Sequence, residues 1–563
     1  MNRPVYRSLA ESFRLDIYLP ECGLIAPPTA TCRADERLDE RMTDGRPPQS
    51  VLIDLTGGDA AETLEKAMRA VKGRAVPIVY FENAETGETI AAFAKENNIG
   101  DMTLCAPYEK RGVLARIRKL LPLSRGMLDL RGQEMPEFVG LIGECQRNEA
   151  TMLLTDSAID RELVRRLQKR FVQVWVEEDG NLAQALLTGA CGVLTQRTGE
   201  LYDLIGKFPA GASARPAPLY AHKTWHITGE YPENSVKGCA AAGRLEYDAA
   251  EIDVQLTKDD VMVVHHDWHT RNLFTEDRVV SGTDWDELKA LRRKSFPEDG
   301  LDTMDELMRE MKAYPETPVL IEIKTPAHTF GVEEMTRQLK ELLAREDVQQ
   351  ACTLIMGVMP PYLAYVHEAL AQVPCAHCTC VKEDAATDSM DENNLRIYKF
   401  AMETRGANAG FNPYHPMISG MFTRLAHVRG ITVFPWTWAW EPWEDGREAI
   451  TASFLQGHDG LTSDWVGKFW HVPVEVRASL PETWAAGEKL PVRAEALLRG
   501  AGWTETNKIE IVPLTGQIEV CEGGLIGKGG RVQLAIGVWT ELEGGKKICV
   551  LSPAYEIDFA GDC

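Results

Sequence analysis

Apolar runs alternate regularly with amphipathic segments along most of the chain, from Val51 onward. Between the runs, apolar residues recur at helical spacing, as in Ala60–Val71 and Arg161–Arg170. The runs predict strands at Val51–Leu55, Pro77–Glu82, Met102–Ala106, Met127–Leu130, Met152–Thr155, Val172–Val176 and Gly192–Thr195. Such alternation is typical of an α/β architecture. Before Val51, the polar segment 32–50 predicts a loop because it contains Gly and Pro.

The alternation occurs twice in the chain. The similar segments are 57–83 with 300–324, 101–122 with 351–372, and 189–208 with 457–469. An internal duplication is the simplest interpretation. Where the second copy has Glu322-Ile323-Lys324 the first has Phe81-Glu82-Asn83, and opposite Trp436 it has Glu177. We therefore predict that residues 1–210 form a degenerate, noncatalytic α/β partial barrel that packs on the second copy. A ligand-binding role is the alternative.

The remaining chain divides into a linker and two further regions. Residues 211–216 are small residues ending in Pro, which is typical of a linker. The second copy, residues 217–470, is predicted to be a complete barrel. Residues 471–563 consist of short alternating strands between Gly, Pro and Asn turns, and they predict an all-β accessory domain with an immunoglobulin-like sandwich architecture.

Composition and charge narrow the classes of function. The 563 residues carry a net charge of -23, which argues against a general nucleic-acid binder but not against a phosphate substrate. No apolar run is long enough to span a membrane, and no signal peptide is evident at the N-terminus. The 13 Cys are scattered, which favours reduced thiols over a disulfide framework. We therefore expect a cytoplasmic protein; the sequence does not indicate its oligomeric state.

The segment 221–267 concentrates polar residues at the ends of apolar runs, where α/β barrels carry their chemistry. Glu251 and Asp253 are two residues apart on a predicted strand, so both side chains face the same way. Glu322 ends the next apolar run and supplies a third carboxylate. Three hard oxygen ligands suit one divalent cation, Mg²⁺ or Ca²⁺. The alternative is a buried ion pair of one carboxylate with Lys324 or Arg244.

Histidines and lysines flank these carboxylates. His222 and His266 each follow a predicted strand, and two imidazoles at one end of a barrel can act as an acid/base pair near neutral pH. His265 points to the opposite face and is expected to be structural. Lys324 is a candidate cation for a phosphoryl group. Asn234 is predicted to be the N-cap of the helix after the first strand.

These motifs, in this order, resemble the glycerophosphodiester phosphodiesterase family over about 245 residues. The resemblance rests on His222-Lys223, Pro232-Glu233-Asn234, Glu251-Ile252-Asp253, His266-Asp267, the LDTMDEL segment 301–307, Glu322-Ile323-Lys324, Val433–Thr437 and the GHDGLTSD segment 457–464. It implies a TIM-type (β/α)8 barrel of the phospholipase-C-like phosphodiesterases. The implied reaction is metal-dependent hydrolysis of a glycerophosphodiester, giving glycerol 3-phosphate and an alcohol.

The resemblance also implies roles for individual residues. Glu251, Asp253 and Glu322 would be the metal ligands, and His222 and His266 the general acid/base pair. Lys223 and Lys324 would bind phosphate, and Trp436 would form a pocket wall. The expected partner is a small-molecule phosphodiester.

One departure from the family pattern concerns the residues after His222. Lys223 stands where the family has Arg, so the compact charge of an ammonium replaces a planar guanidinium. Thr224 stands where the family has Gly, which suggests a different loop conformation. Glycerol specificity is the property this puts in doubt. Three alternatives stay open: a ligand-binding pseudoenzyme, a phosphodiesterase that acts on sugar-phosphate diesters, and a lyase that stops at a cyclic phosphate.

Overall fold

The computed structural model describes residues 15–71, 73–224, 229–324, 331–356, 360–379, 387–403, 410–436 and 443–560. They form two α/β barrels followed by an all-β domain. None of the helices in these ranges is both long and apolar enough to cross a membrane.

The first barrel is a closed ring of eight parallel strands, in which β1 pairs with β2 on one side and β8 on the other. Its strands are β1 (Thr29–Arg33), β2 (Ser50–Asp54), β3 (Val76–Tyr80), β4 (Thr103–Pro107), β5 (Arg125–Asp129), β6 (Met152–Asp156), β7 (Gln173–Glu177) and β8 (Gly192–Leu194). Its helices are α1 (Leu38–Thr43), α2 (Ala60–Val71), α3 (Ala84–Glu96), α4 (Arg111–Leu120), α5 (Phe138–Arg147), α6 (Arg161–Gln168), α7 (Leu182–Leu187) and α8 (Thr198–Ile205).

The prediction of a partial barrel is therefore wrong for this region. The strand β1 ends within segment 32–50, and the helix α1 lies within it, although the sequence predicted a loop there. β1 has the sequence TATCR, and its first four residues are all buried. Because two of them are Thr, the strand does not form a continuous apolar run. Because β1 joins β2 to β8, the ring closes.

The second barrel has seven paired strands arranged in the order β16, β15, β14, β13, β11, β10, β17. They are β10 (Leu219–Ala221), β11 (Ala249–Leu256), β13 (Val319–Ile323), β14 (Cys352–Met356), β15 (Cys375–Thr379), β16 (Gly410–Pro413) and β17 (Leu461–Ser463), with β12 (Met262–Val264) antiparallel to β11. Residues 433–436 complete the ring, since Val433 bridges to Phe411 and Trp436 bridges to both Tyr414 and Thr462. The eight-stranded barrel is confirmed.

Helices surround this second ring. They are α9 (Val236–Arg244), α10 (Trp285–Leu288), α11 (Met304–Met311), α12 (Gly331–Leu343), α13 (Pro360–Ala369), α14 (Met390–Glu403), α15 (Gly420–Val428) and α16 (Trp443–Gln456). On β11 the residues Ala250, Ile252, Val254 and Leu256 pack in the core under the helices. The alternate residues of β11 therefore face the barrel interior.

The C-terminal region is all-β, as predicted, and its strands form three sheets. Its strands are β18 (Glu475–Ala478), β19 (Thr483–Ala485), β20 (Lys489–Pro491), β21 (Ala494–Leu498), β22 (Gly502–Thr506), β23 (Ile509–Thr515), β24 (Ile518–Cys521), β25 (Gly524–Gly527), β26 (Gly530–Glu541), β27 (Lys547–Leu551) and β28 (Tyr555–Ala560). The expected linker contributes a strand, β9 (Ala212–Ser213), which pairs with β27. The segment between the barrels thus belongs partly to the β domain.

The first barrel packs against the amino-terminal end of the second. Phe171 precedes β7 and stacks on Phe434, with ring centroids 4.2 Å apart. It is fully buried in one cluster with interior residues of the second barrel, namely Tyr220, Ala249, Leu320, Ala376 and Phe434. A side chain of the first barrel therefore fills the amino-terminal end of the second.

A buried carboxylate joins all three domains. Asp248, just before β11, lies 3.0 Å from Lys169 Nζ of the first barrel and 2.5 Å from Arg499 Nη2 of the β domain. Burial opposes ionisation, but Arg499 and Lys169 hold the pKa of Asp248 well below its usual range. The contact surfaces of the three domains meet at this ionic cluster.

Candidate active site

Three carboxylates meet on two adjacent strands of the second barrel. Glu251 and Asp253 are on the interior face of β11, and Glu322 is on β13, where it is in register with Asp253. Glu251, Asp253 and Glu322 each offer an oxygen within 4.8 Å of the others. The sequence prediction that these three residues lie together agrees with this geometry.

The carboxylates differ in burial and in pairing. Glu251 and Asp253 are almost completely buried. Lys324 Nζ lies 2.6 Å from Glu322 Oε1 and 3.0 Å from Asp253 Oδ1. Burial opposes ionisation of Asp253, yet the charge of Lys324 holds its pKa well below the usual range. Lys324 thus neutralises part of the acidic cluster.

Among the described residues, no cation lies as close to Glu251 as Lys324 lies to Asp253 and Glu322. Its Oε2 accepts a 2.7 Å hydrogen bond from the backbone N–H of Lys223 and lies 4.0 Å from His222 Nε2. Its Oε1 is buried without a hydrogen-bond partner among the described residues. Burial, followed by the charge of Asp253, raises the pKa of Glu251. A buried, unsatisfied carboxylate oxygen beside two other carboxylates fits a cation site.

His222 follows β10 in a short 3₁₀ turn and is held by a carboxylate. Its Nδ1 lies 2.7 Å from Asp464 Oδ1, and Asp464 directly follows β17. Burial alone would lower the pKa of His222, but the charge of Asp464 and its hydrogen bond raise that pKa to about 9. The Asp464 carboxylate therefore fixes the orientation of the ring and favours the imidazolium form.

His266 stands in a more open position. Its Nδ1 lies 2.7 Å from Asp267 Oδ1, and Asp267 Oδ2 accepts a 2.7 Å hydrogen bond from Asn272 Nδ2. The hydrogen bond from His266 lowers the pKa of Asp267. An open cleft of ≈ 420 Å³ borders His266 and Lys324. The exposed Trp268 also lines this cleft.

One side chain of β11 fixes the loop that carries His266. Gln255 Nε2 donates to the backbone carbonyls of His265, His266 and Asp267 at 2.7, 3.2 and 2.8 Å. Gln255 shares the interior face of β11 with Glu251 and Asp253. The same strand therefore positions both the carboxylates and the backbone beside His266.

Asn234 is not the helix N-cap that the sequence suggested. The N-cap of α9 is Ser235, whose Oγ accepts a 3.0 Å hydrogen bond from Gly238 N. Asn234 instead contacts Asp253 twice: its Nδ2 donates to Asp253 Oδ2 at 2.9 Å, and its Oδ1 accepts from Asp253 N at 2.9 Å. A cap one residue later frees the Asn234 amide to orient the carboxylate.

The two residues that depart from the family pattern share one backbone conformation. Lys223 and Thr224 have φ values of 46° and 61°, in the left-handed region that glycine adopts most easily. Burial would lower the pKa of Lys223, but Asp253 leads a group of carboxylates that raise it. Lys223 therefore carries its positive charge at the acidic cluster. The backbone at this turn is strained, because the β-branched Thr224 adopts a left-handed conformation.

Several other predicted residues have a clear location. His265 is buried, and its Nε2 lies 3.2 Å from His269 O, in agreement with a structural role. Trp436 is buried at the end of segment 433–436, which completes the second ring. Its ring contacts Tyr414, with the ring centroids 5.0 Å apart. A wall role for Trp436 stays a prediction. Trp225, His226, Trp438 and Trp440 lie outside the described residues, and so does Thr437.

Sequence reasoning did not assign roles to Asp464 or Gln255, and it gave Asn234 a capping role instead of its contacts with Asp253. Asp464 is the last residue of the GHDGLTSD motif, so the sequence pointed to this position but did not indicate its contact with His222. Gln255 continues the Glu-x-Asp alternation by one step, which places it on the same face of the strand. Asn234 resembled a cap because Asn before a helix usually is one.

This geometry defines the class of protein. A (β/α)8 barrel whose strand ends present three carboxylates, two carboxylate-paired imidazoles and two lysines is built for phosphoryl chemistry on an anionic substrate. Residues 227–468 match the model of the glycerophosphoryl diester phosphodiesterase family. The second barrel therefore contains a domain of this family, which is the domain of a phosphoric diester hydrolase.

Solved structures of phosphodiesterases are similar to part of the chain. A glycerophosphoryl diester phosphodiesterase from Silicibacter pomeroyi is 21% identical, with a TM-score of 0.36, covering 46% of this chain and 92% of its own. A phosphodiesterase from Oleispira antarctica, solved with sn-glycerol-3-phosphate, is 20% identical, with a TM-score of 0.35, covering 45% and 95%. One from Agrobacterium tumefaciens is 14% identical, with a TM-score of 0.37, covering 44% and 94%.

Proposed function

We propose that the second barrel hydrolyses a glycerophosphodiester to glycerol 3-phosphate and an alcohol, with the help of one divalent cation. The observation that carries the proposal is the acidic cluster of Glu251, Asp253 and Glu322 beside two imidazoles that each have a carboxylate partner. Hydrolysis of a phosphodiester is the activity of the family; the glycerol-containing substrate and the cation are the parts that we propose.

Glu251, Asp253 and Glu322 would hold the cation, Mg²⁺ or Ca²⁺. The unsatisfied Oε1 of Glu251 supports this assignment, because a buried carboxylate oxygen without a donor is otherwise costly. When bound, such a cation supplies positive charge against the phosphoryl oxygens. Asn234 keeps one of the three carboxylates in a fixed orientation from behind.

The lysines and histidines of this site perform the remaining steps. Lys223 and Lys324 attract the anionic diester and stabilise the charge that builds up on its oxygens. His222 and His266 form the acid/base pair: one takes a proton from the attacking water, and the other gives a proton to the oxygen of the leaving alcohol. Because Asp464 and Asp267 each bond to Nδ1, Nε2 is the ring nitrogen left for proton transfer in both histidines.

The cysteines support the proposed location in a reducing compartment such as the cytoplasm. The described cysteines are free, and most of them are buried. Buried free thiols are typical of proteins from reducing compartments.

Turnover on a diester panel tests the proposal. Glycerophosphocholine, glycerophosphoethanolamine, glycerophosphoinositol and bis-p-nitrophenyl phosphate would be assayed with Mg²⁺, Ca²⁺ or EDTA. We expect release that depends on the cation and is abolished in Glu322→Gln and His266→Ala. The matched control is Glu316→Gln, because Glu316 is an exposed glutamate in the turn before the strand that carries Glu322.

Three outcomes would change the proposal. Full activity in EDTA would contradict the role of the cation. A cyclic phosphate as the end product would make the protein a lyase. Metal binding without turnover of any diester would favour a ligand-binding protein.

A further inference from the structure

A small cavity lies where the first barrel, the segment 211–216 and the β domain meet. Its volume is ≈ 30 Å³, and its lining includes Arg161, Arg165 and Gln168 from α6, together with Arg215 and Glu475. A space of this size holds an occupant about as large as one water molecule or one halide ion. The cavity lies outside the active site, at the opposite end of the second barrel.

Three buried donors at this cavity have no acceptor. Arg161 Nη1, Arg165 Nε and Gln168 Nε2 are buried without a hydrogen-bond partner among the residues described. The other end of the Arg161 guanidinium is satisfied, since Nη2 donates to Ala214 O at 3.0 Å and to Leu551 O at 3.1 Å. Buried donors in native proteins almost always have a partner, so an occupant that accepts hydrogen bonds is expected here.

The surrounding charges favour a negative occupant. Asp248 is the shared partner of three cations, with Arg499 at 2.5 Å, Lys169 at 3.0 Å and Arg165 at 3.7 Å. Arg215, a further lining residue, lies 3.4 Å from Asp459. Glu475 is the one acidic side chain of the lining. Glu162 also pairs with Arg165, at 3.3 Å. The five cations Arg161, Arg165, Lys169, Arg215 and Arg499 therefore outnumber the four carboxylates Asp248, Asp459, Glu162 and Glu475 by one.

We propose that this cavity binds one small inorganic anion of halide size. A water molecule accepts two hydrogen bonds and must place its own two hydrogens on acceptors, whereas an anion only accepts and also offsets the excess positive charge. The anion bridges α6 of the first barrel to the segment that enters the β domain. Its binding stabilises the assembled chain and takes no part in the hydrolysis.

Thermal unfolding of the full-length protein tests this site. Chloride or bromide would replace gluconate, which is too large for the cavity, at constant ionic strength. The unfolding midpoint should rise by a few degrees and saturate with halide concentration, because a ligand that binds only the folded state stabilises it. A midpoint that does not depend on the halide would overturn the proposal.

A substitution that supplies the negative charge sharpens the test. In Gln168→Glu the new carboxylate reaches the same arginines, so the midpoint in gluconate should rise and the response to halide should be lost. Gln146→Glu is the matched control: Gln146 is also a buried glutamine with unpartnered amide atoms, but it lies on α5. That variant should keep the full response to halide.

Diffraction from crystals soaked in bromide gives a result that does not depend on any variant. An anomalous peak within hydrogen-bond distance of Arg161 Nη1 and Arg165 Nε would support the proposal. Ordered water that bridges Arg161 to Glu475, with no bromide peak, would overturn it. A peak without any effect of halide on the unfolding midpoint would identify an adventitious ion only.

Discussion

At the residue scale, the candidate site consists of the proposed catalytic and metal-binding groups and of the side chains that hold them. The sequence singled out His222, Glu251, Asp253, His266 and Glu322 because each lies on or just after a predicted strand and matches a motif. Their partners were not singled out, because a hydrogen bond between side chains 242 positions apart, as in His222 and Asp464, leaves no periodic trace in a sequence. The site residues were thus easier to predict than what holds them.

Asp464→Asn should lower kcat by about 100-fold to 10,000-fold, because the amide neither fixes the His222 tautomer nor stabilises its charged form. KM should change little, since Asp464 is placed behind the imidazole. Steady-state hydrolysis of bis-p-nitrophenyl phosphate measures both constants. Asp260→Asn, an exposed substitution, is the control. An unchanged kcat in Asp464→Asn would remove this residue from the mechanism.

Asn234→Gly should weaken binding of the divalent cation by about 10-fold to 100-fold, because Asp253 loses the amide that orients it. Glycine is the appropriate replacement, since Asn234 has a φ of 48° that glycine accepts without strain. Isothermal titration with Ca²⁺ or Mg²⁺ measures the affinity. Wild-type affinity in this variant would mean that Asp253 is held by its other contacts alone.

At the element scale, most strands of the first barrel were predicted to within two residues, because buried parallel strands read as short continuous apolar runs. The exception is β1, because its two Thr residues interrupt the apolar run by which the other strands were recognised. The start of α9 was misplaced by one residue because Asn234 and Ser235 are both good caps.

Ser235→Ala should lower the free energy of unfolding by about 1 kcal/mol while leaving cation affinity unchanged. The Ser235 hydroxyl accepts from Gly238 N and donates to Pro232 O at 2.6 Å, and neither bond reaches the carboxylates. Urea denaturation and calcium titration on the same sample check both parts. This variant is the complement of Asn234→Gly. If Ser235→Ala lost the cation instead, the two adjacent residues would not have separate roles.

At the scale of the whole molecule, the stack of Phe171 on Phe434 and the ionic cluster at Asp248 are two of the contacts that join the domains. Both were beyond sequence analysis, because Phe171 and Asp248 look like ordinary loop residues until the domains are assembled. Both contribute to the packing of the first barrel on the second, beside contacts such as the buried ion pair of Asp101 with Arg429.

Phe171→Ala should destabilise the protein by about 3–5 kcal/mol, since it leaves a cavity among Tyr220, Leu320 and Phe434. Calorimetry of the full chain should show a lower unfolding temperature. Phe138→Ala is the control: Phe138 is a phenylalanine of the first barrel that is only partly buried, on α5. An equal drop in unfolding temperature in both variants would mean that the stacking of Phe171 on Phe434 stabilises the protein no more than a partly buried phenylalanine does.

Asp248→Asn should cost about 3–5 kcal/mol at pH 7, because it leaves Lys169 and Arg499 buried without their carboxylate. The pKa of Asp248 is lowered in the folded state, so its contribution is fully present above the unfolded pKa of about 3.9 and is lost as pH falls below that value. The difference in unfolding midpoint between wild type and variant should therefore shrink on acidification below about pH 4. A constant difference across that range would contradict the ionised state of Asp248.

The position of Phe171 has a consequence for how this chain can evolve. A phenylalanine from a barrel without the acidic cluster fills the closed end of the barrel that has it. Because Phe171 is part of the buried core of the second barrel, we expect selection on the second barrel to constrain substitutions around β7 of the first barrel. Among homologous chains, the face that holds Phe171 should vary less than the opposite face.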